Sequence, residues 1–141
     1  MCELLGLAFN RQINPTFSFA GFLSGSENNP EGWGIGYYPE NGNTASIFKE
    51  AITGTESHLA QYLQSYPRLN SQIFLAHPRK SSSGTVKHAN THPFARYLNG
   101  RQWLFAHKGT LYYPEQLKLR HYFPAGDTDS ERSFCWLLAQ L

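Results

Sequence analysis

The sequence predicts an α+β domain in which short strands are interspersed with a few separate helices. Apolar runs of strand length occur at residues 3–9, 73–77 and 103–107, and helical patterns occur at residues 56–66 and after Thr128. Strands and helices do not alternate regularly, so mixed α+β layering is favoured over repeated strand–helix–strand units. The 141 residues fit one domain with one core, spanning residues 1–141.

The first third of the chain is predicted to be mainly strand. Residues 3–9 (ELLGLAF) form an apolar run that indicates a largely buried strand, and a polar stretch containing Pro and Asn follows it through Pro30. The alternating glycines of residues 32–38 (GWGIGYY) suit a strand whose backbone lies close against another part of the molecule. A turn at residues 39–42 (PENG) leads to residues 45–49, and together they predict a β-hairpin.

One helix and two similar strands are predicted in the middle of the chain. Residues 56–66 place apolar side chains three and four positions apart and end before Pro67, as an amphipathic helix does. These side chains are Leu59, Tyr62, Leu63 and Tyr66. Residues 73–77 (IFLAH) and 103–107 (WLFAH) indicate two apolar strands, each ending in Ala-His. Residues 78–94 between them are polar, and we expect them to contribute too little apolar surface to join the core.

A second helix is predicted at the end of the sequence. Residues 128–131 (TDSE) match a capping box, which marks a helix start. The apolar stripe that follows consists of Phe134, Leu137, Leu138 and Leu141. Because a helix of this length is marginal unless it packs on something, we expect the sequence to stop inside a structural element. The domain is therefore expected to be incomplete at its C-terminus.

Composition excludes several classes of function. Charged residues make up 16% of the chain and the net charge is +2, so no basic stripe is present to follow nucleic acid. No apolar run approaches the roughly 18 residues of a membrane span, and the first ten residues lack the basic start of a signal peptide. The two cysteines, Cys2 and Cys135, form neither a disulfide framework nor a CxxC pair. We expect a cytoplasmic protein that binds neither nucleic acid nor membrane.

The most informative single residue is Cys2, directly behind Met1. If the initiator methionine is removed, one residue carries both a thiol and a free α-amine. The α-amine has an ordinary pKa of about 7.7–8.0 and the thiol one of about 8.5. A nucleophile and a base are thus combined at neutral pH. The alternative is that this cysteine follows the start site by accident.

Other polar clusters follow predicted strands or open the last helix, where function is often found. They lie at residues 77–79 (HPR), 90–94 (NTHPF), 107–109 (HKG) and 126–131 (GDTDSE). Taken singly, the histidines are explained as structural, Arg79 as a solvated surface residue, and Asp129 as a carboxylate favoured by the helix dipole. The spacing of His77, His92 and His107 matches no familiar zinc arrangement, so no metal site is predicted.

Taken in order, the segments MCELLG, EGWGIG, AHPR, NTHPF, AHKG and GDTDSE resemble class II glutamine amidotransferases, the N-terminal nucleophile type. The resemblance covers nearly the whole chain and is greatest to the compact bacterial stand-alone members. It implies an αββα four-layer sandwich of two antiparallel sheets, of which this chain would supply the N-terminal part. It also implies hydrolysis of glutamine to glutamate and ammonia through a γ-glutamyl thioester on Cys2, without a cofactor. An unidentified ammonia acceptor or partner chain would complete the transfer.

The resemblance implies a role for each matched position. Cys2 would be the nucleophile, with its own α-amine as base through a water. Arg79 would grip the substrate α-carboxylate, for which a planar guanidinium is suited, and Asp129 would pair with the α-ammonium. Gly109 would offer its N–H to the oxyanion. The remaining matches are Thr91 and His92 in the substrate loop, and Trp33 and Gly34 beside the nucleophile.

The chain departs from the family pattern at two positions and in length. Lys108 stands where the family has an asparagine that donates to the oxyanion, so we expect slow turnover, and Glu31 stands where the family often has Asp. The family domain generally exceeds 200 residues, which leaves a truncated gene product, a split protein or a partial record as explanations. Two alternative functions stay open: an inactive remnant that serves as a binding or interaction module, and a related amidohydrolase acting on another amide.

Overall fold

The computed structural model describes residues 3–82 and 84–141, which form six strands and three α-helices. The strands are β1 (Leu5–Ile13), β2 (Trp33–Tyr37), β3 (Ser46–Glu50), β4 (Ser71–Pro78), β5 (Phe94–Leu98) and β6 (Arg101–Phe105). The helices are α1 (Thr16–Ser24), α2 (His58–Leu63) and α3 (Asp129–Leu138), and the short 3-10 turns are Gly25–Asn28, Pro39–Asn41, His88–Asn90 and Pro114–Gln116. The predicted nucleophile, Cys2, lies outside the described residues.

The strands form two antiparallel sheets, which confirms the predicted α+β class. The larger sheet has four strands in the order β1-β4-β2-β3, and β5 and β6 pair as a separate two-stranded sheet. The predicted hairpin is present, since β2 pairs antiparallel with β3 and Trp33 lies opposite Glu50. On its other side β2 pairs with β4, so that Gly34 lies opposite His77. This pairing brings the end of β4 beside the start of β2.

One face of β2 builds the main core. Because successive side chains of a strand point to opposite faces, Trp33, Ile35 and Tyr37 share one face, and all three are buried. They pack against α1 and α2, and the rings of Phe19 and Trp33 lie 6.1 Å apart. The other buried members of this cluster are Leu23, Ala60, Leu63, Leu69, Phe74 and Ala76.

The opposite face of β2 carries two glycines and lies against the smaller sheet. A Cβ on Gly34 would overlap the carbonyl oxygen of His92, and a Cβ on Gly36 would lie 2.9 Å from Cδ1 of Leu104. Such distances are below normal carbon contacts, so only glycine permits this approach of the two sheets. The prediction that the glycine-rich strand lies close against another part of the molecule is confirmed.

Helix α3 packs on the smaller sheet. Phe134 and Leu138 are buried with Phe94, and the rings of Phe105 and Phe134 lie nearly parallel with centroids 5.0 Å apart. The predicted apolar stripe was partly wrong: Leu137 and Leu141 are 43% and 73% exposed, and Cys135 is buried in their place. The reason is that the helix ends at Leu138 and faces a sheet of only two strands, which covers a narrow stripe.

Three further predictions on local structure need correction. Strand β1, an edge strand of the larger sheet, is mostly exposed rather than largely buried: six of its nine residues are exposed and none is buried. Helix α1 occupies part of the stretch before Pro30 for which no helix was predicted. Helix α2 ends at Leu63 rather than extending to residue 66, and Tyr62 is 59% exposed.

Candidate active site

A small cavity lies where the two sheets and helix α3 meet. Its volume is about 20 Å³, which is room for about one water molecule. The lining comes from the end of β4 and the segment after it, from the residue before Pro93, from the segment after β6 and from the start of α3. The lining residues are His77, Arg79, Lys80, Ser81, Ser82, His92, His107, Gly109, Thr128, Asp129 and Ser130.

The fold therefore brings together four of the residues that the sequence analysis singled out. Arg79, His92, Gly109 and Asp129 all line this one cavity, although they are separated by up to 50 positions along the chain. Of the other predicted site residues that the structure describes, four are not among the lining residues: Lys108, Thr91, Trp33 and Gly34. Trp33 belongs to the main core.

Arg79 is buried, which makes the solvated-surface interpretation wrong. It is 2% exposed, and its backbone N–H donates to the carbonyl of Gly32 at 2.6 Å. Its guanidinium lies 3.5 Å from a carboxylate oxygen of Glu31 and donates to the carbonyl of Gly84 at 3.2 Å. These contacts fix the guanidinium at the cavity wall.

Glu31 connects Arg79 to the next part of the cavity wall. Its Oε2 accepts the backbone N–H of Ser81 at 2.7 Å. Hydrogen bonding from Ser81, with a smaller effect from Arg79, lowers the pKa of the Glu31 carboxyl below its ordinary value despite some burial. The carboxylate is therefore ionised at neutral pH and holds both partners.

Asp129 is the first residue of α3 and is 6% exposed. Its Oδ2 accepts the backbone N–H of Leu111 at 2.6 Å, and its Oδ1 accepts the N–H of Ser130 at 2.9 Å. The carboxylate therefore ties the segment after β6 to the start of α3. Its place in the first turn also agrees with the simpler interpretation that the helix dipole favours a negative charge there.

The segment after β6 brings Gly109 to the cavity. Gly109 has φ +150°, a conformation that L side chains rarely adopt. A Cβ on this residue would lie 3.1 Å from Nε2 of His107, so its backbone packs on the imidazole. Nδ1 of His107 lies 3.1 Å from the hydroxyl oxygen of Ser130 on α3. The sequence analysis gave Ser130 no role in the site, because it appeared there only as a position within the capping-box pattern.

Two histidines stack inside the site, one from β4 and one from the segment just before β5. The rings of His77 and His92 lie 4.2 Å apart, and the His92 ring contacts Phe94 at 4.5 Å. Both side chains are buried, and within the described residues no ring nitrogen of either has a hydrogen-bond partner in good geometry. Burial, with a smaller effect from the Arg79 charge, lowers the pKa of His77 to about 4 and that of His92 to about 2. Both imidazoles are neutral at neutral pH.

Lys49 was not predicted as a site residue, yet it holds the segment that carries His92. Its Nζ donates to the carbonyl of Thr91 at 2.7 Å and to that of Pro93 at 3.4 Å, and it lies 5.5 Å from the ring centre of Phe94. Burial lowers its pKa from the ordinary value. Thr91 donates its hydroxyl to the carbonyl of Lys87. Its position opposite Gly34 follows from the register of the folded hairpin, so the sequence alone contained no signal for Lys49.

Glu131 fixes the approach to α3 from the smaller sheet. Its carboxylate accepts the N–H groups of Ala125 at 3.0 Å and Gly126 at 2.7 Å, and it pairs with Arg96 of β5. The predicted capping box is half confirmed, because the Thr128 hydroxyl accepts the Glu131 N–H at 3.1 Å. The Glu131 side chain binds Ala125 and Gly126 instead of returning to the N–H of Thr128.

Polar residues before β5 are part of the packed interior, contrary to the prediction for residues 78–94. Asn90 and Thr91 are fully buried and His92 is 4% exposed. Asn90 accepts the backbone N–H of Asp127 at 2.9 Å and donates to the carbonyl of Thr85 at 2.8 Å. Hydrogen bonds of this kind make burial of a polar side chain tolerable.

Neither a metal cluster nor a membrane span is found in the described part of the chain. Within residues 3–82 and 84–141, no three His, Cys, Asp or Glu side chains are grouped so that they would hold a metal ion. None of the helices described in those ranges is both long and apolar enough to cross a bilayer.

Comparison with known proteins gives consistent matches over the whole sequence. A family model described as "Glutamine amidotransferases class-II" matches residues 1–141. "Uncharacterized protein MJ1515" of Methanocaldococcus jannaschii is 45% identical over 141 residues, which are 100% of this chain and 39% of that protein. "Putative glutamine amidotransferase YafJ" of Escherichia coli K12 is 40% identical over 144 residues, covering 100% of this chain and 55% of that protein.

A solved structure is similar as well. The crystal structure of a "predicted glutamine amidotransferase" from Pseudomonas aeruginosa PA01 matches with a TM-score of 0.53 and 36% identity, covering 77% of this chain and 41% of that one. The chain thus spans between 39% and 55% of the length of the two sequence relatives described above.

Proposed function

The chain belongs to the class II glutamine amidotransferases, whose family model matches residues 1–141, and from this premise we propose that it hydrolyses glutamine to glutamate and ammonia. The observation that carries the proposal is that the fold brings Arg79, Asp129 and Gly109 to the wall of one cavity. Because that cavity of about 20 Å³ has room for about one water, glutamine binding requires it to open. A buried cation and a buried anion in one cavity match the carboxylate and the ammonium of a free amino acid. A glutamine inside a peptide offers neither charge, because its α-amino and α-carboxyl groups are in amide bonds.

The proposed reaction has two steps on Cys2. The thiolate attacks the side-chain amide carbon of glutamine, the carbon–nitrogen bond breaks, and ammonia leaves with the proton taken from the thiol. Water then attacks the γ-glutamyl thioester, which releases glutamate and restores the thiol. The α-amine of a mature chain starting at Cys2 would serve as the base through a water, since its ordinary pKa of about 7.7–8.0 suits neutral pH.

The described residues have separate roles in this proposal. Arg79 binds the α-carboxylate, held in place by Glu31 and the Gly84 carbonyl. Asp129 binds the α-ammonium, and Gly109 gives its N–H to the tetrahedral oxyanion. The neutral imidazole of His92 forms a wall of the pocket and adds no competing positive charge.

The four-layer αββα arrangement belongs to the same proposal. Two contacts support it: α1 and α2 pack on the outer face of the larger sheet, and α3 packs on the smaller sheet. The glycine face of β2 lies between the two sheets. In this arrangement the site lies at the edge where the sheets meet.

A binding module without turnover is the second candidate. The observation that favours it is Lys108, which is exposed and does not line the cavity, although the family has an oxyanion-donating asparagine at that position. Loss of one such donor in another hydrolase lowered the rate by about 10²–10³. The module would bind glutamine through Arg79 and Asp129 without releasing ammonia.

Covalent labelling tests both candidates. The protein is treated with a glutamine-mimicking diazoketone and its intact mass is measured, together with Arg79→Gln, Asp129→Asn and the exposed control Arg68→Gln. We expect one adduct on a Met-less chain at Cys2, lost in the first two variants and kept in the control. An adduct elsewhere, or equal labelling in all variants, contradicts the proposed site. Glutamine binding by calorimetry without any adduct identifies the binding module.

A further inference from the structure

One contact links the two halves of the proposed site. Nδ1 of His107 lies 3.1 Å from Oγ of Ser130, and Ser130 directly follows Asp129 in the first turn of α3. We propose that Ser130 and His107 are positioning residues that couple the ammonium-binding Asp129 to the oxyanion-binding Gly109. This inference rests on the proposed function.

The first link of the coupling runs from His107 to Gly109. Gly109 lies beside the imidazole, since a Cβ built on it would be 3.1 Å from Nε2 and 3.4 Å from Cε1. Its φ of +150° is open to glycine and is rarely adopted by residues with a side chain. In this proposal the imidazole limits the movement of the Gly109 backbone, so that a rotated ring lets the Gly109 N–H shift; displacements of about 1 Å cost about 10²-fold in rate in other enzymes.

The second link runs from Asp129 through Ser130 to His107. Oγ of Ser130 lies 3.4 Å from Oδ1 of Asp129, which also accepts the Ser130 N–H at 2.9 Å. A serine hydroxyl has one proton to donate, and the carboxylate is the stronger acceptor. In this arrangement the hydroxyl oxygen accepts the Nδ1–H of His107, which fixes the orientation of the ring and places a proton on Nδ1. Ser130 is 4% exposed, so water does not replace this contact freely.

The coupling predicts which kinetic constant each variant changes. Gly109 contributes to the transition state, so loss of its support lowers kcat. Asp129 binds the α-ammonium of the substrate already in the ground state, so substitution of Asp129 raises KM. We expect Ser130→Ala to lower kcat about tenfold with KM changed less than twofold, and Asp129→Asn to raise KM.

A double-mutant cycle with a spectroscopic readout tests the inference. His107→Phe keeps a ring against Gly109 but removes Nδ1, so Ser130→Ala, His107→Phe and the double variant should all have the same kcat. Ser133→Ala removes a hydroxyl from the same helix, where it donates to the Ser130 carbonyl, and should leave kcat unchanged. Additive losses in the double variant would overturn the coupling.

Nitrogen-15 NMR separates this inference from the proposed function. In Ser130→Ala, the ring nitrogens of His107 and the amide of Gly109 should shift, whereas both stay unchanged in Ser133→Ala. If the wild-type protein neither releases ammonia nor is labelled, the proposed function is contradicted. The NMR shifts still decide whether Ser130 and His107 position Gly109. Unchanged His107 and Gly109 signals in a folded Ser130→Ala protein would refute it.

Discussion

His77 and His92 stack with their ring centroids 4.2 Å apart, one in the larger sheet and the other just before the smaller sheet. His77 lies in β4 of the larger sheet, and His92 lies two positions before Phe94, the first residue of β5. Both rings are buried beside Arg79 and are kept neutral by that burial. The two sheets therefore meet at the site through a pair of imidazoles that cannot take up protons without cost.

The first prediction is that this pair makes the fold acid-sensitive. In the unfolded chain the two rings take up protons near the ordinary pKa of 6.5, whereas burial lowers the folded pKa of His77 to about 4 and that of His92 to about 2. The stability that depends on both rings staying unprotonated is thus fully present above pH 6.5 and is lost as the pH falls. Each ring lowers the free energy of unfolding by up to about 1.4 kcal/mol for every unit that the pH falls. Both rings have this effect between pH 6.5 and pH 4, and His92 alone has it below pH 4.

Urea unfolding between pH 7 and 4 measures this slope. His92→Phe keeps an aromatic ring against His77 and should make the slope shallower by about one proton. His121→Gln removes an exposed imidazole and is the matched control. An unchanged slope in His92→Phe would show that other groups cause the acid sensitivity.

The second prediction concerns the contact between the two sheets at Gly34. In Gly34→Ala the new Cβ would overlap the backbone carbonyl of His92 and lie 2.8 Å from the Cβ of Lys49. Because a backbone carbonyl does not move as a flexible side chain does, we expect a loss of about 3 kcal/mol in the free energy of unfolding. Chemical denaturation measures it.

The control for Gly34 is a glycine with open space. A Cβ on Gly21 in α1 meets nothing within 4 Å, so Gly21→Ala should stabilise the protein by about 0.5–1 kcal/mol through helix propensity. Similar effects of the two substitutions would contradict the close approach of the sheets. Displacement of His92 in Gly34→Ala should also appear in its ring NMR signals.

The sequence predicted those features that depend on local patterns. The alternating glycines of β2 indicated a close approach, because only the absence of a Cβ explains Gly34 and Gly36 in a strand. The Thr128 cap followed from a short-range rule that the hydrogen bond to Glu131 confirms. Arg79 and Asp129 were singled out by resemblance, and the fold brings both to one cavity.

Other features depend on contacts between distant residues and were not predictable. Helix α1 is apolar on most of its surface, so TFSFAGFLS shows no polar and apolar faces of helical period. Asn90 is buried because Asp127, 37 positions away, supplies its partner. Lys49 and Ser130 carry no chemical signal in isolation, since their roles arise only where β3 meets β5 and where α3 meets the segment after β6.

The third prediction concerns the carboxylate of Glu131. Glu131→Ala removes one partner of a pair in which the glutamate side chain is 2% exposed, and it leaves the N–H groups of Ala125 and Gly126 without their acceptor. Removing one partner of a buried ion pair costs about 3–5 kcal/mol, and we expect a loss of that size in the free energy of unfolding.

The matched comparison is an ion pair at the surface. Lys87 and Asp127 pair at 2.9 Å with side chains that are 43% and 49% exposed, so Lys87→Met should change stability little. Thermal unfolding of both variants in low and high salt distinguishes them. Equal losses in Glu131→Ala and Lys87→Met would contradict the structural role assigned to Glu131.

The last prediction concerns Lys108, which is exposed and lies between His107 and Gly109. Within the proposed function, Lys108→Asn restores the side-chain amide that the family resemblance implies at the oxyanion. Since one such donor was worth about 10²–10³ in rate in another hydrolase, we expect ammonia release from glutamine to rise at least about tenfold, with KM nearly unchanged. A coupled glutamate assay on the purified protein measures the rate, and Lys118→Asn, the same change at an exposed position further along the chain, is the control. Equal rates in wild type and Lys108→Asn would refute the oxyanion explanation, because a hydrogen bond that is made only in the transition state must change kcat.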